Sequence, residues 1–397
     1  MPPVDWSAAR AAMLLDPQVA NLNTGSFGPT PRPVFERATA LRRRLAEAPM
    51  DFLLREAPTL LWQARERLAT FLGTVPERLV FTENVTTAIN IVAASLRLAA
   101  PGDILMSDRE YGTMQWAWER AARAHGLTVR FVRLPLMPSN PGEIMDSYRA
   151  ALTPRTRLLF FSHVLAATGL VLPARELCAL ARGCGVLTAV DGAHAPAMVD
   201  VNIDAIGCDF YGGNCHKWLL APIGSGFLAL GRDGLDRLRP LQVSWGYYPD
   251  RNRRPDERDE FGSTPRLRQL EFEGTRDPCA WLAVPDAIDF QTGLGWPAVR
   301  GRMRELAAYA RRRLDGLARL RLTTPVDPDR HGAMTAFWWP TGLNAEELRR
   351  GLWERRIEAI IGEWPDGLTL RVSTHFYNTE AEIDLLAGSI PEILAGQ

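Results

Sequence analysis

Lysine is nearly absent from this chain of 397 residues: Lys217 is the only lysine among 46 basic residues, and all the others are arginines. Arginine replaces lysine well in salt bridges and phosphate contacts, but its pKa stays above about 12 and it cannot supply a neutral amine. A lysine that persists in such a composition therefore indicates a position that requires amine chemistry. Survival of one lysine by chance is the alternative, and the neighbouring residues decide between the two.

Net charge and long apolar runs are also missing. Basic and acidic residues number 46 each, so no excess of positive charge points to nucleic acid or to an anionic membrane. The N-terminus has no cationic segment followed by an apolar core, and no run of about 18 apolar residues occurs. The five cysteines form no CxxC pair and no metal-ligand cluster, which is typical of a reducing compartment. We expect a cytoplasmic protein with no metal, nucleic-acid or membrane partner.

Short apolar runs alternate with helical patterns in the middle of the chain. The runs that favour β-strands cover residues 79–82, 103–107, 128–132, 157–162, 185–190, 208–213 and 225–230. Alternation of this kind favours an α/β fold with a mainly parallel sheet covered by helices on both faces. The polar stretch 247–270 is predicted to be a long exposed loop, and helical patterns dominate from 280 to 318. We predict three parts, namely an N-terminal segment 1–20 that packs on the smaller domain, a large domain 21–284 and a smaller α+β domain 285–397.

An acid and the lysine follow two of these predicted strands. Asp191 ends the apolar run 185–190, and Lys217 comes 26 residues later, after another short strand. The carboxyl ends of strands in an open α/β sheet are where ligands bind. Pyridoxal 5′-phosphate (PLP) requires this pair, because the lysine binds its aldehyde as a Schiff base and the carboxylate keeps its pyridine nitrogen protonated. The sequence therefore predicts a PLP enzyme that acts on an amino-acid-like substrate.

A phosphate site is predicted at the start of the helix that follows strand 79–82. The backbone amides near Val85 and Thr86, with the Thr86 hydroxyl, can bind a dianion at the positive end of the helix. An ordinary Asn or Thr helix cap is the alternative interpretation.

Several motifs extend this prediction to a family resemblance. They are DGAHAP (191–196), GGNCHKW (212–218), EGTRD (273–277), LRVSTHFYNTEAEID (370–384) and NLNTGSFGPTP (21–31). In this order they resemble the class V aminotransferase family of fold-type I PLP-dependent enzymes, and the last motif is most similar to the isopenicillin N epimerase-like branch. The resemblance implies a large domain with a mainly parallel, seven-stranded type of sheet and a smaller C-terminal α+β domain.

The resemblance also implies roles for individual residues. Lys217, Asp191 and His194 match the Schiff-base lysine, the partner of the pyridine nitrogen and the contact of the ring hydroxyl. The remaining cofactor contacts implied are Tyr111 stacked on the ring and Val85, Thr86, Asn214 and His216 at the phosphate. Gly274 and Thr275 match a loop that reaches the phosphate of the neighbouring subunit, which implies a homodimer with shared active sites. Arg371 matches the arginine that binds the α-carboxylate of the substrate. Asn23 and Phe27 match residues that line the entrance for the substrate.

Two departures from the family pattern bear on the reaction. Cysteine desulfurases of this class carry a nucleophilic cysteine shortly before the carboxylate-binding arginine, and the stretch before Arg371 contains none. An asparagine that often helps to hold the ring hydroxyl is replaced near Ala166. The first departure argues against persulfide chemistry. The resemblance to the isopenicillin N epimerase-like branch implies epimerisation at Cα, in the biosynthesis of a secondary metabolite, with Lys217 as general base and His375 or Tyr111 as candidates for a second acid. A C–S lyase, an aminotransferase or deaminating decarboxylase, and a non-catalytic PLP-fold sensor stay open as alternatives.

Overall fold

The computed structural model describes residues 3–138, 140–232, 234–247, 254, 257–259, 262–340, 342–364 and 367–395. Within these ranges the strands are β1 (Ala20–Asn21), β2 (Leu79–Thr82), β3 (Gly102–Ser107), β4 (Leu127–Val132), β5 (Thr156–Ser162), β6 (Leu187–Gly192), β7 (Phe210–Asn214), β8 (Gly226–Leu230), β9 (Arg321–Leu322), β10 (Met334–Pro340), β11 (Ile357–Glu358), β12 (Ile360–Trp364) and β13 (Gly367–Ser373).

The helices in the same ranges begin and end as follows. They are α1 (Trp6–Ala11), α2 (Arg32–Glu47), α3 (Pro49–Asp51), α4 (Ala57–Phe71), α5 (Val85–Ser95), α6 (Gly112–His125), α7 (Pro141–Ala151), α8 (Ala174–Gly183), α9 (Ile203–Ile206), α10 (Pro265–Glu271), α11 (Cys279–Leu282), α12 (Val284–Leu294), α13 (Trp296–Leu314), α14 (Ala345–Glu354) and α15 (Glu380–Ala395). A π-helical turn, Phe52–Glu56, joins α3 to α4.

The large sheet has seven strands in the order β2-β8-β7-β6-β5-β3-β4 among the described residues. Strand β8 runs antiparallel to both of its neighbours, and every other neighbouring pair is parallel. The predicted mainly parallel sheet is therefore confirmed. Both faces of this sheet are covered by apolar cores. Alternate residues of one strand point to opposite faces, so Phe160 lies in one core and Phe161 lies in the other.

A second, antiparallel sheet has the order β12-β13-β10-β9. Its apolar face packs with α14 and α15 around Leu370 in a third core. Helix α13 connects this core to the large sheet, since Met303 lies in the first core and Leu306 in the third. Strand β1 pairs with β11, and the Gly28 amide donates to the His216 carbonyl, so the chain between α1 and α2 contacts both parts of the molecule. The division at residues 20 and 284 stays a prediction.

One local prediction is wrong. Within the stretch 247–270 that the sequence suggested to be an exposed loop, the structure has the start of α10. Thr264 caps this helix, and Leu267 and Leu270 are buried against the large sheet. Two leucines three residues apart on a short helix are a weak periodic signal beside three prolines, and burial outweighs it. Residues 248–253, 255–256 and 260–261 of the predicted loop lie outside the described residues.

Candidate active site

A cavity of about 500 Å³ lies where parallel strands of the large sheet end. Strand β5 ends at Ser162, β6 carries Asp191 next to its last residue, and β7 ends at Asn214; all three side chains line the cavity. Ser162 and Asp191 are direct neighbours across the sheet. Asp191 and Asn214 were predicted from the sequence, and Ser162 was not. The remaining predicted residues that line the same cavity are Phe27, Val85, Thr86, Tyr111, His194, His216, Lys217 and Arg371.

Lys217 follows β7 directly and extends into this cavity. Its Nζ lies 3.4 Å from Nε2 of His194. Burial, with the nearby Arg371 cation, lowers the pKa of Lys217 to about 8, while Asp191 acts in the opposite direction. A substantial fraction of this amine is therefore neutral near physiological pH, which is the form that attacks an aldehyde.

Asp191 is a buried carboxylate without a cationic partner at ion-pair distance among the described side chains. Its Oδ1 accepts a hydrogen bond from the Ala193 amide at 2.8 Å, and only 3% of the residue is exposed. Burial raises the pKa of Asp191 above its ordinary value. The Ala193 hydrogen bond and the charge of Lys217 lower this pKa, but their effects are smaller. A buried carboxylate in this state is stabilised by any cation that binds beside it.

The end of the cavity where α5 begins is built to receive an anion. Asn84 caps this helix by accepting from the Thr87 amide, and the Val85 amide donates to Oδ1 of Asn214 at 2.9 Å. Val85 therefore uses its amide to hold Asn214 in place. The amide and hydroxyl of Thr86 are left for a ligand, because amides in the first helical turn have no carbonyl of their own helix to bond.

His216 lies at the same end. Its Nδ1 donates to the Ser225 carbonyl at 3.1 Å, because a carbonyl oxygen can only accept. Burial and the charge of Lys217 lower the pKa of His216 to about 4, although the hydrogen bond to Ser225 raises it. The neutral ring therefore presents an acceptor at Nε2. It can donate to a phosphate only after it takes up a second proton, which a dianion beside it favours.

Arg371 is a buried cation whose partners are all neutral. Its guanidinium donates to the Ala166 carbonyl at 3.1 Å, to the Ser26 hydroxyl at 3.2 Å and to Oδ1 of Asn23 at 3.5 Å. Its Nε has no hydrogen-bond partner within the described part of the chain. Burial lowers the pKa of Arg371 to about 10, although the nearby Tyr111 raises it. A carboxylate that enters this cavity would find a desolvated guanidinium fork, the geometry that binds carboxylates in a bidentate manner.

The entrance of the cavity is aromatic. Tyr111 and Phe27 line it with 55% and 64% of their surface exposed, so both rings are available to a bound molecule. Asn23 does not line this cavity, but it contacts Arg371 and lines a neighbouring cavity that shares Phe27. Gly28 packs so closely that a Cβ there would lie 2.0 Å from the Lys217 carbonyl oxygen. The stretch that carries Asn23, Phe27 and Gly28 is thus packed against the loop after β7 that carries Lys217, called the lysine loop below.

Some predicted residues lie elsewhere. Gly274 does not line the cavity that contains Lys217, called the lysine cavity below. Thr275 lines a separate apolar cavity near α4. His375 is fully buried: its Nε2 donates to the Trp218 carbonyl and its Nδ1 accepts from the Phe376 amide. Both ring nitrogens are therefore occupied, and His375 is unavailable as a second acid. Tyr111 is the one of the two candidates that faces the cavity.

Sequence reasoning missed a buried carboxyl group beside the site. Glu110 is 3% exposed and accepts from the Ser107 hydroxyl and from both the amide and the hydroxyl of Ser162. Burial raises the pKa of Glu110 to about 7, with the charge of Asp191 acting in the same direction and both serines opposing it. The one sequence signal is that the two serines end β3 and β5, where side chains of neighbouring strands meet.

The cavity lining contains one further carboxylate among the described residues, Glu83, which forms an ion pair with Arg276. No described cysteine lines the cavity, and Cys178, Cys208, Cys215 and Cys279 are buried elsewhere. The described residues contain no group of three or more His, Cys, Asp or Glu side chains suited to a metal ion. No helix in the described part of the chain is both long enough and apolar enough to cross a bilayer.

The charges and shape of the cavity fit PLP. Lys217 supplies an amine of lowered pKa for the aldehyde. Asp191 supplies a buried carboxylate that lacks a cation, as a pyridinium nitrogen requires. The start of α5 supplies the positive helix end for the phosphate. Arg371 is left to bind the carboxylate of an amino acid, and no described carboxylate competes for it.

Comparisons with known proteins agree with this geometry. The chain is 57% identical over 395 residues to the isopenicillin N epimerase of Streptomyces clavuligerus, covering 99% of each chain. It is 58% identical over 392 residues to the isopenicillin N epimerase of Amycolatopsis lactamdurans, covering 98% of each. The apo structure of a cysteine desulfurase from Thermococcus onnurineus is similar in fold, with a TM-score of 0.84, 21% identity and 98% coverage of both chains.

A sequence model of the family described as "Aminotransferase class-V" matches residues 29–386, which include every element of the cavity except the first residues of its entrance. The chain therefore belongs to the class V aminotransferase family of fold-type I, PLP-dependent enzymes.

Proposed function

We propose that this enzyme is an epimerase that inverts the configuration at Cα of an amino-acid substrate, and that its substrate is isopenicillin N or a close analogue. The observation that carries the proposal is the placement of an unpaired Arg371 and a partly neutral Lys217 in one cavity. The identity of 57–58% to two isopenicillin N epimerases over nearly the whole chain supports this substrate class.

Each side chain has a distinct task in this proposal. When bound, PLP supplies an electron sink that makes the Cα proton of an amino acid removable. Arg371 binds the substrate carboxylate and so fixes which bond at Cα faces Lys217. Lys217, with its pKa of about 8, removes and returns the proton at Cα. Asp191 keeps a positive charge on the cofactor ring.

Epimerisation also requires a proton on the face of Cα that Lys217 does not reach. Tyr111 is the candidate, because it lines the cavity and 55% of the residue is exposed. His375 is excluded by its two occupied nitrogens. A Tyr111→Phe variant should keep exchange of the Cα proton of the substrate with solvent and lose inversion, which separates this role from ring stacking alone.

The reaction class is tested by products from the holoenzyme in D₂O. With isopenicillin N, we expect solvent deuterium at Cα together with inversion, measured by mass spectrometry and chiral chromatography. Release of pyruvate and a thiol from an S-conjugated cysteine would establish a C–S lyase instead, and formation of a keto acid would establish an aminotransferase. The absence of cysteine from the cavity lining of the described residues argues against persulfide chemistry. No deuterium uptake and no product from any amino acid would favour a non-catalytic sensor.

We further propose a homodimer in which Gly274 and Thr275 of one subunit complete the phosphate site of the other. Support comes from their position outside the lysine cavity of their own chain and from apolar side chains exposed beside both regions. Met50, which lines the cavity of Thr275, is 67% exposed, and Ile223, which lines the cavity of Lys217, is 66% exposed. Large apolar side chains exposed in this way are available to a protein partner.

Complementation between subunits tests this arrangement. Lys217→Ala and Thr275→Glu chains should each be inactive alone. If sites are shared, half of the dimers in an equal mixture are heterodimers, and each contains one intact site, so about a quarter of wild-type activity should return. No recovery from a mixture that contains heterodimers would refute shared sites. The biosynthetic role and the cytoplasmic location stay predictions from the sequence.

A further inference from the structure

Trp218 contacts the site through a neighbour of Lys217. The residue is fully buried, and its Nε1 lies 3.4 Å from Nδ1 of His194. The other nitrogen of the same imidazole, Nε2, lies 3.4 Å from Nζ of Lys217. Two consecutive residues of the lysine loop therefore contact the two nitrogens of one histidine.

The chemistry of indole decides the direction of the first hydrogen bond. An indole N–H can donate and cannot accept, so Nδ1 of His194 must be the acceptor. Burial, with the charges of Lys217 and Arg371, lowers the pKa of His194 well below its ordinary value, and the ring is neutral. A neutral imidazole that accepts at Nδ1 carries its proton on Nε2.

We infer that Trp218 is a positioning residue: its indole N–H holds His194 in the tautomer with the proton on Nε2, and His194 thereby acts as a hydrogen-bond donor toward Lys217. A protonated lysine would meet an N–H at this position, whereas a neutral amine can accept from it. The contact therefore favours the neutral, nucleophilic form of the only lysine in the chain. This inference rests on the cofactor site and is independent of the proposed epimerase activity.

Other charged groups also face Lys217 and must stay constant in a test. Arg371 on β13 disfavours the protonated amine, and Asp191 on β6 favours it. His216, next in sequence, is neutral at physiological pH because its pKa is lowered to about 4. A Trp218→Phe substitution leaves all of these side chains in place and removes only the indole N–H and part of the ring.

Trp118 provides a matched control. It is also almost fully buried, at 1% exposure, but its Nε1 has no hydrogen-bond partner within the described part of the chain. Trp118→Phe thus removes the same group and a similar volume without removing a hydrogen bond. Any effect common to both variants reflects lost packing, and an effect confined to Trp218→Phe reflects the lost donor.

The direct measurement is the tautomer of His194 by long-range ¹H–¹⁵N NMR of the full chain, with and without PLP. The chain has six histidines, and a His194→Gln sample identifies the signal. We expect the proton on Nε2 in the wild type and in Trp118→Phe, and a mixed or Nδ1-protonated ring in Trp218→Phe. A wild-type ring protonated on Nδ1 would overturn the inference, even if no variant folded.

The second measurement is the rate at which the cofactor-free chain captures PLP as a function of pH, followed by its visible absorbance. Capture requires the neutral amine, so the midpoint of the profile reports Lys217. We expect Trp218→Phe to raise the midpoint by about half a pH unit to one pH unit, the equivalent of one neutral hydrogen bond. Equal midpoints in the wild type and both variants would refute the positioning role.

Discussion

Asp191 and Arg371 carry opposite charges in the wall of one cavity, yet neither forms an ion pair within the described ranges. Each is held by neutral groups only: Asp191 by the Ala193 amide, and Arg371 by a carbonyl, a hydroxyl and an amide oxygen. Unpaired buried charges are costly, and proteins retain them where a ligand supplies the counter-charge. In the proposed function, Asp191 binds the cation of the cofactor ring and Arg371 binds the carboxylate of the substrate.

Substitution of Asp191 by asparagine should have opposite effects on stability with and without PLP. At pH 7 the carboxyl group of the unfolded chain is ionised. Folding must therefore either bury the charge or take up a proton, because the pKa of Asp191 is raised in the folded state, and both cost free energy. Without PLP, Asp191→Asn should increase the free energy of unfolding by about 1–3 kcal/mol. With saturating PLP the wild type should be the more stable protein.

Thermal denaturation of both forms tests this reversal. Asp200→Asn is the control, because the Asp200 side chain is 93% exposed and its ion pair with Arg300 lies on the surface. An Asp191→Asn variant that is less stable than wild type without PLP would contradict the unpaired state of the carboxylate.

Removal of the Arg371 side chain should weaken substrate binding far more than it affects the fold. We expect Arg371→Ala to raise KM by roughly 30- to 1,000-fold, equivalent to about 2–4 kcal/mol, because a desolvated carboxylate contact is lost. Steady-state kinetics of the holoenzyme measure this change. Arg349→Ala, which breaks an exposed ion pair with Glu363, should leave KM unchanged. An unchanged KM in Arg371→Ala would remove the assignment of the carboxylate site.

Capture of PLP should depend on pH with a midpoint near 8. Burial and Arg371 lower the pKa of Lys217 to about 8, so the neutral amine becomes the main form above that pH and the rate levels off there. Arg371→Ala removes one of the two causes and should move the midpoint upward. A wild-type midpoint at about 10, the ordinary value for lysine, would show that the amine is not perturbed by its surroundings.

Glu110 should make the stability of the fold depend on pH. Burial raises the pKa of this carboxyl from 4.5 to about 7. The unfolded chain releases the proton first, so the contribution of Glu110 to stability is fully present below about pH 4.5 and declines as pH rises to 7. Relative to Glu110→Gln, the wild type should lose on the order of 2–3 kcal/mol between pH 4.5 and pH 7.5.

Urea denaturation at several pH values measures this difference. Glu305→Gln, at a side chain that is 71% exposed, should show no such trend. If the difference in unfolding free energy between wild type and Glu110→Gln is constant across this pH range, then folding does not raise the pKa of Glu110.

The sequence was sufficient to predict the sheet and to single out the two residues on which the proposed chemistry depends. Apolar runs bounded by turns predicted the strands of the large sheet to within a few residues, because strands such as β2, β5 and β7 are buried on both faces. Lys217 was identifiable because every other basic residue is an arginine. Asp191 was identifiable because it follows a buried strand. All three signals, namely the apolar runs, the single lysine and an acid directly after a strand, are local features of the sequence.

Features that depend on tertiary contacts could not be predicted in this way. Arg371 is one of 45 arginines, and only the fold shows that its partners are neutral. The role of Trp218 requires its distance to His194, 24 residues earlier in the chain. Glu110 reads as an ordinary polar loop residue until β3 and β5 bring two serines to it. Long-range packing also explains α10, where burial of Leu267 outweighs a loop-like composition.

The most direct test of the account is borohydride reduction of protein prepared with PLP, followed by peptide mass spectrometry. Because residue 217 is the single lysine, trypsin should no longer cleave after it, and one peptide should carry one pyridoxyl group at that side chain. Lys217→Ala should show no adduct and no visible band. Reduced wild-type protein that carries no pyridoxyl group on residue 217, or carries it only on the N-terminal amine, would contradict the assignment of the active site.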